Sequence, residues 1–478
     1  MLKIRTKEDA RVSVRVSSFC ERQKIHMWGK QEQKQNMLTG SPAGTLFFFA
    51  LPMILGNLFQ QFYNMADSII VGRYVGEDAL AAVGASYSLT TVFIMIAIGG
   101  GMGASVLTSQ YLGAGEYGKM KTSIYTALIN FLTLSLLLAL LGYFLNRNIM
   151  TALKTPENIL ESAVLYLQIY FYGLPFLFMY NILSSIFNAL GRSRIPLFLL
   201  IFSSVLNVAL DLFIVRVLSM GVAGVAIATV IAQGLSALIS FGILLSILQR
   251  YSGGEDNVRL YDAGMLIRGT RIAVPSIVQQ SIVSIGMLLV QSVVNSFGSS
   301  ALAGYSAGMR IESICIVPMI ATGNAVSTFT AQNIGAKQPE RVKKGYHGGI
   351  RMVAVFAVII CVILQLFYSD IVQAFLKEDA GAAAYATGSA YLRFIGWFFL
   401  LIGLKASTDG VLRGAGDVNV YMAANLLNLG IRVLFANLMA PVVGIQAVWW
   451  AVPIGWSVNF LVSFIWYRTG RWSRKQVI

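Results

Sequence analysis

The sequence predicts an all-α integral membrane protein with twelve transmembrane helices in two pseudo-symmetric six-helix lobes. Three observations carry this: a composition too poor in charge for water, twelve apolar runs of spanning length, and an internal repeat at half the chain length. Of the 478 residues, 56% are apolar and 12% charged, and the mean hydropathy is +0.69. Soluble domains carry about 25% Asp, Glu, Lys and Arg. A water-soluble chain of this size could not bury so much apolar surface, because exposed area still grows with mass. Soluble-enzyme classes are therefore set aside.

A bilayer core of about 30 Å needs roughly 20 apolar residues per helix. Such runs fall at about 44–71, 84–112, 120–145, 160–189, 195–215 and 221–248, then 265–296, 304–334, 346–368, 384–412, 419–440 and 444–467. Between the sixth and seventh lies Ser252-Gly253-Gly254-Glu255-Asp256-Asn257, a polar and flexible linker. The chain thus reads as a polar basic tail (1–36, expected to be disordered), an N-terminal lobe (37–250), a cytoplasmic linker (251–263), a C-terminal lobe (264–470) and a basic C-terminal tail (471–478). The first apolar run is too long for a signal-peptide core, so no cleaved leader is expected.

Net charge is +15. In a soluble chain that would suggest nucleic acid; in a membrane protein its distribution over the loops is what matters. With both termini cytoplasmic, the inner loops and tails hold 27 Lys and Arg against 5 outside; without the N-terminal tail the ratio is 18 to 5. Both ends are therefore placed inside the inner (plasma) membrane, and no nucleic-acid partner is expected. Cys20, Cys315 and Cys361 lie far apart and imply no disulfide framework, and two histidines (His26, His347) cannot build a His-rich metal site.

The repeat is explicit in the residues. Ala50-Leu51-Pro52 returns as Ala273-Val274-Pro275, Ala79-Leu80-Ala81 as Ala301-Leu302-Ala303, and Thr108-Ser109-Gln110-Tyr111-Leu112-Gly113-Ala114 as Thr330-Ala331-Gln332-Asn333-Ile334-Gly335-Ala336. Leu190-Gly191-Arg192 parallels Ala415-Gly416-Asp417, and Gly224-Val225-Ala226 parallels Gly444-Ile445-Gln446. Offsets stay between 220 and 225 residues. Six spans repeated in the same orientation make a parallel repeat, whose halves enclose a central cavity and rock against each other.

Ionisable groups at bilayer depth are costly and read first as functional. The first half holds two acids inside spans, Asp67 and Asp211. Gln60, Asn64 and Asp67 share one helical face, with Tyr63 beside it. Asn207 and Asp211 are spaced i,i+4 on another helix, and Thr229 lies on the sixth span. With no Lys or Arg deep in this half, two carboxylates among amides and hydroxyls suit a proton or Na⁺, the Na⁺ ligands being Asp67, Asn207 and Asp211. The competing reading of Asp67 is a water-facing acid at the end of its span. In the second half Lys405 and Asp409, spaced i,i+4, neutralise each other. Glu312 near Arg310, with Arg432, reads as a structural salt network; a share in substrate charge selectivity is the alternative.

Other signals are weaker. Phe47-Phe48-Phe49, Tyr170-Phe171-Tyr172 and Trp449-Trp450 read mostly as lipid-facing or interfacial belts. Pro52, Pro175, Pro275 and Pro318 sit inside spans, where each removes a hydrogen bond. Gly99-Gly100-Gly101-Met102-Gly103 lacks the Lys-Ser/Thr of a phosphate loop and reads as close helix packing. Gly414-Ala415-Gly416-Asp417 matches a short pattern of intramembrane aspartyl proteases but has no Tyr-Asp partner span, so the chain is read as non-enzymatic.

From about Met37 to Arg468 the chain resembles the multidrug and toxic compound extrusion (MATE) family. The motifs are Leu51-Pro52 with Gln60, Tyr63, Asp67 and Val71-Gly72; Gln110-Tyr111-Leu112-Gly113-Ala114-Gly115; Leu206-Asn207 with Asp211; Gln332-Asn333-Ile334-Gly335-Ala336; and Leu412-Arg413-Gly414-Ala415-Gly416-Asp417. The resemblance implies two six-helix lobes in a V around a substrate cavity. It also implies export of organic cations or amphipathic drugs in exchange for H⁺ or Na⁺, without a cofactor and as a monomer. Its first-lobe cation site implies Asp67, Asn207, Asp211 and Thr229, with Tyr63 and Gln60 adjacent, and Pro52 as the place where the first helix bends. Ser184 stands where the fourth helix often carries Asn, and Gln279 and Gln280 stand where some branches carry Glu on the seventh. A lipid-linked oligosaccharide flippase of the wider superfamily is the alternative; its cavity would need basic groups for pyrophosphate, and the first lobe has almost none at depth.

The N-terminal tail makes the first prediction. Its nine Lys and Arg are diluted by Glu8, Asp9, Glu21 and Glu32, and Met27 and Met37 each offer a later start. Deleting residues 1–36 is expected to leave topology and export intact. Reporter fusions on each loop and a drug-resistance assay check it, and lost transport would overturn it.

Overall fold

The computed structural model describes residues 37–251, 258–376, 381–475 and 478. Readings on the N-terminal tail and on the centre of the linker lie outside the described residues. Among the described residues, twelve helices are long and apolar enough to cross a membrane. The first six are α1 (Pro42–Tyr74), α2 (Glu77–Gly113), α3 (Tyr117–Ala152), α4 (Glu157–Ala189), α5 (Arg194–Arg216) and α6 (Gly221–Leu248). The second six begin with α7 (Ala263–Asn295), α8 (Ser299–Cys315, resumed as Val317–Gly335) and α9 (Pro339–Phe375). They end with α10 (Ala382–Ile395, a 3₁₀ turn Gly396–Phe398, then Phe399–Gly414), α11 (Val418–Val443) and α12 (Gln446–Arg468).

Two spans therefore differ from the continuous helices that hydropathy predicts. The α8 break falls just before Pro318, which has no N–H to give the preceding turn. The α10 break at Gly396–Phe398 is a tight turn that leaves hydropathy unchanged. The C-terminal segment also extends the second lobe past 470. Trp472 is buried and stacks on Tyr467 at 5.5 Å, while Lys475 pairs with the fully buried Asp417 at 2.5 Å. Asp417 also accepts from Trp466 Nε1 at 2.6 Å, so it is a structural anchor.

The repeat extends to the turns. Left-handed backbone appears at Gly76 and Gly298, at Gly191 and Gly416, and at Gly221 and Gly444. Gly115 (φ 74°) is matched by Lys337 (φ 58°), a non-glycine holding a conformation that L-residues rarely adopt. Both close the same helix-ending motif: Glu116 N–H bonds Tyr111 O at 3.0 Å, and Gln338 N–H bonds Asn333 O at 2.8 Å.

Each lobe has its own apolar core. Phe131, Phe171, Phe178, Ile182 and Ile186 centre the first, and Tyr391, Trp449, Trp456 and Val353 the second. Outward faces are bare hydrocarbon, as in Leu137, Leu140, Leu141 and Phe144 on α3 or Val358, Val362 and Leu366 on α9. The aromatic runs split between the two environments. Phe48, Tyr172 and Trp450 are exposed, whereas Phe49, Phe171 and Trp449 are buried, because neighbouring residues on a helix point about 100° apart.

The lobes meet through small residues. A Cβ on Gly99 would lie 2.8 Å from the Ile277 backbone, and one on Gly103 would lie 2.4 Å from Gly269 O, joining α2 to α7. Gly100 instead admits Phe131 of α3, and Gly101 admits Ser185 of α4. At the end carrying the α2 and α8 C-termini the contact is reciprocal. Gly113 seats on Gln332 O and Gly335 on Gln110 O, where a Cβ would lie 1.9 and 2.0 Å away. Gln110 Nε2 donates to Gly414 O at 3.2 Å, and Gln332 Nε2 donates to Ala189 O at 2.7 Å, each crossing to the other lobe. The chain before α1 is pinned to the second lobe as well, with Met37 O accepting from Asn333 and Arg341, each at 3.1 Å.

Gly113→Ala or Gly335→Ala should lift the lobes apart at this seal and destabilise by about 1–3 kcal/mol, the usual cost of overpacking. A lower unfolding temperature in detergent, with Gly242→Ala as the open-space control, is the expected result.

Candidate functional site

Three helices of the first lobe bring their polar residues to one place. Tyr63 and Asp67 come from α1, Asn207 and Asp211 from α5, and Thr229 from α6. Each i,i+4 pair projects from one helical face, and α5 packs on both α1 and α6. Asp211 is fully buried, Asn207 is 2% exposed, and Asp67 is half-buried rather than left in water at a helix end.

Tyr63 Oη donates to Asn207 Oδ1 at 2.5 Å, and Asn207 Nδ2 donates to Thr229 Oγ1 at 3.3 Å. Rotating the Asn207 amide by half a turn satisfies more partners. Its nitrogen then donates to Asp211 Oδ2 at 3.1 Å, and its oxygen accepts from Thr229 N–H at 3.1 Å. Asp67 and Asp211 lie close enough for their charges to act on each other. Two carboxyl groups bond only when one carries a proton, and they stay together ionised only with a cation between them. Oδ1 of each is buried without a hydrogen-bond partner, which leaves acceptor capacity for that cation.

Gln60 is not in this cluster. It donates to Asn64 Oδ1 at 3.1 Å on the exposed side of α1. Tyr166 of α4, which the sequence reading passed over, lies close enough to both carboxylates to feel their charge, and it stacks on Tyr170 at 6.4 Å. Its signal was the i,i+4 tyrosine pair, absorbed into an interfacial aromatic run. Among the described residues no three His, Cys, Asp or Glu side chains gather at one point. The donor set here is two carboxylates, one amide and two hydroxyls.

The second-lobe charges behave differently. Lys405 Nζ lies 3.0 Å from Asp409 Oδ2 and 2.9 Å from Asn425 Oδ1. Ser463 Oγ donates to Asp409 Oδ1 at 2.7 Å, and Asn425 Nδ2 donates to Oδ2 at 3.3 Å. The group is closed and neutral. Glu312 is buried and accepts from Tyr391 Oη, not from Arg310. Residues i and i+2 on a helix do not face each other. Arg310 turns instead to a cavity of about 450 Å³ beside Ser299 and Phe375, and Arg432 is the basic group near Glu312. Pro52 is buried within α1, and its neighbour Met53 lines a cavity between the lobes.

The profile of the MatE family matches residues 52–213 and again 275–438, one copy per lobe, starting at the two prolines that open the repeat. The chain belongs to the MATE family. The probable multidrug resistance protein YpnP of Bacillus subtilis (strain 168) is 30% identical to this MATE-family chain over 91% of its length and 96% of the relative's. The multidrug export protein MepA of Staphylococcus aureus (strain N315) is 24% identical over 88% and 92%, and the FAD transporter of Shewanella oneidensis 25% over 90% and 95%. Among solved structures, a multidrug resistance MATE family transporter in an outward-facing conformation superposes with a TM-score of 0.85 at 23% identity, over 92% of this chain and 98% of that one. The all-α fold of twelve spans is thus a MATE fold.

A double-mutant cycle tests the second-lobe pair. Lys405→Met or Asp409→Asn alone should cost about 3–5 kcal/mol, because each strands a buried charge, and the double variant should cost less than either. Yield and melting temperature across the cycle are the readout, and additive losses would assign the two residues separate roles.

Proposed function

We propose that this MATE-family transporter is a secondary active antiporter. It exports organic cations or amphipathic drugs in exchange for H⁺ or Na⁺ by alternating access of its two lobes. The observation that supports this most is the nearness of Asp67 to Asp211, each carrying an unpartnered buried oxygen, in a lobe with no deep Lys or Arg. Tyr63, Asn207 and Thr229 complete the coupling site. A site of that kind holds one monovalent cation or proton and has reason to release it when its surroundings change. The multidrug names of YpnP and MepA support small-molecule substrates for this chain.

The basic-loop asymmetry supports both termini inside; we read the protein as a multi-pass transporter of the plasma membrane, a monomer that needs no cofactor. In that orientation the Gly113–Gln332 seal lies on the cytoplasmic side, and Pro52 is where α1 bends. Exchange of one inward H⁺ for one outward monovalent drug is electroneutral. The ion gradient then supplies about 1.4 kcal/mol per tenfold ratio, whereas each uncompensated charge would add about 2.3 kcal/mol per 100 mV.

Asp67→Asn and Asp211→Asn keep size but cannot exchange a proton or hold Na⁺ as tightly. Either is expected to abolish gradient-driven export, by at least about tenfold, in a protein that still folds. Proteoliposomes with imposed pH or Na⁺ gradients, applied separately, identify the ion, and wild-type export in either variant would overturn the assignment.

A further inference from the structure

Arg413 has no part in the proposed antiport site. Arg413 ends α10, and from sequence it counts as a basic residue of a cytoplasmic loop. In the structure its side chain turns back between the lobes. Nη2 donates to Asn324 Oδ1 at 2.6 Å and Nε to Ser327 Oγ at 3.2 Å, and Nη1 reaches Met102 Sδ of the other lobe at 3.9 Å. The guanidinium lies 5.9 Å from the ring centre of Tyr421. None of the ion pairs among the described residues includes it. An arginine carries five N–H donors, so neutral oxygens and a thioether leave both its charge and part of its donor set unanswered.

Arg413 also lines a cavity of about 130 Å³. Asn324, Ser327, Thr328 and Arg413 line it from the second lobe; Ser105, Ser185, Asn188 and Met53 are among the residues lining it from the first. The volume holds several waters or one oxyanion group, but no drug-sized molecule. One positive charge, several hydroxyl donors and no carboxylate make the wall complementary to an anion. Arginine's planar fork matches a carboxylate in two parallel hydrogen bonds. A charge of this kind inside a membrane protein is held for a ligand or a partner, and no carboxylate among the described residues pairs with it.

We propose that the Arg413 cavity is a subsite for the carboxylate of an amphipathic substrate, which selects zwitterionic and acidic compounds from plain cations. The subsite rests on the export reading for its place in transport, and it belongs to the seam between the lobes, apart from the Asp67–Asp211 pair. A substrate seated there touches both lobes at once, through Arg413 and Asn324 on one side and Ser105 and Ser185 on the other.

Binding to the purified full-length chain in nanodiscs tests this, using two dyes that differ only at one group. Rhodamine 6G is the cationic ethyl ester, and rhodamine 19 is its free acid, a zwitterion. By fluorescence anisotropy, Arg413→Gln should weaken rhodamine 19 at least tenfold, about 1.4 kcal/mol, and change rhodamine 6G less than twofold. Arg413→Lys should retain part of the affinity. Asn188→Asp, which places a carboxylate in the same cavity, should show the same selective loss. Unchanged rhodamine 6G binding certifies the fold of each variant. Equal losses for both dyes, no loss for either, or a wild-type chain that does not bind rhodamine 19 would overturn the subsite. Gradient-driven export of rhodamine 6G, measured separately, can fail without touching the binding contrast, so the antiport reading and the subsite fall independently.

Discussion

The structure depends on how closely two backbones approach where α2 and α8 end. Gly113 rests on the carbonyl of Gln332, and Gly335 on that of Gln110, so each lobe supplies the same notch to the other. Hydrocarbon offers no force that drives one apolar helix onto another; packing and polar contacts between helices have to hold them. Small residues supply the packing, and the crossing glutamine amides supply the hydrogen bonds. The contact is self-complementary because the sequence is duplicated, which explains why the longest repeated motif ends at these glycines.

Charge is divided unequally between lobes that are otherwise alike. The repeat places Leu289 and Val290 where α1 carries Asp67, and the stretch from Leu434 to Ala436 where α5 carries Asp211. The first lobe keeps two facing carboxylates with no basic neighbour. The second locks its acid Asp409 among Lys405, Asn425 and Ser463, and Glu312 under Tyr391. An acid with fixed donors is settled in one state. Asp67 and Asp211 each keep an Oδ1 with no fixed donor, and that openness is what the second-lobe acid Asp409 lacks.

Span number, order and the lobe division were legible in the sequence because hydropathy is a one-dimensional signal and the repeat keeps its register. The pairing of Asp67 with Asp211 could be anticipated from residue type and depth, since few polar groups compete for partners in that lobe. What escaped was direction. The break in α8 and the 3₁₀ turn in α10 alter the path without altering composition. Glu312 and Arg310 look adjacent in sequence yet leave the helix on different sides. Gln60 shares a face with Asp67 but stays about two turns away, bonded to Asn64. Arg413 counts as a loop charge by position, and only its side-chain path takes it between the lobes.

The first helix serves two masters. Leu46, Phe49, Ala50 and Ile54 belong to a core shared with Ala321, Ala325 and Phe329 of the opposite lobe, whereas Tyr63 and Asp67, farther along the same rod, sit against α5 of their own. Pro52 lies on the stretch where those allegiances overlap, and it leaves the carbonyl of Phe48 without its usual helical donor. Any rocking of one lobe against the other would load this rod like a beam clamped at both ends, and the missing hydrogen bond is where it would yield first. Tilting of the lobes and displacement of a carboxylate would then be one mechanical event, transmitted along about four turns of helix.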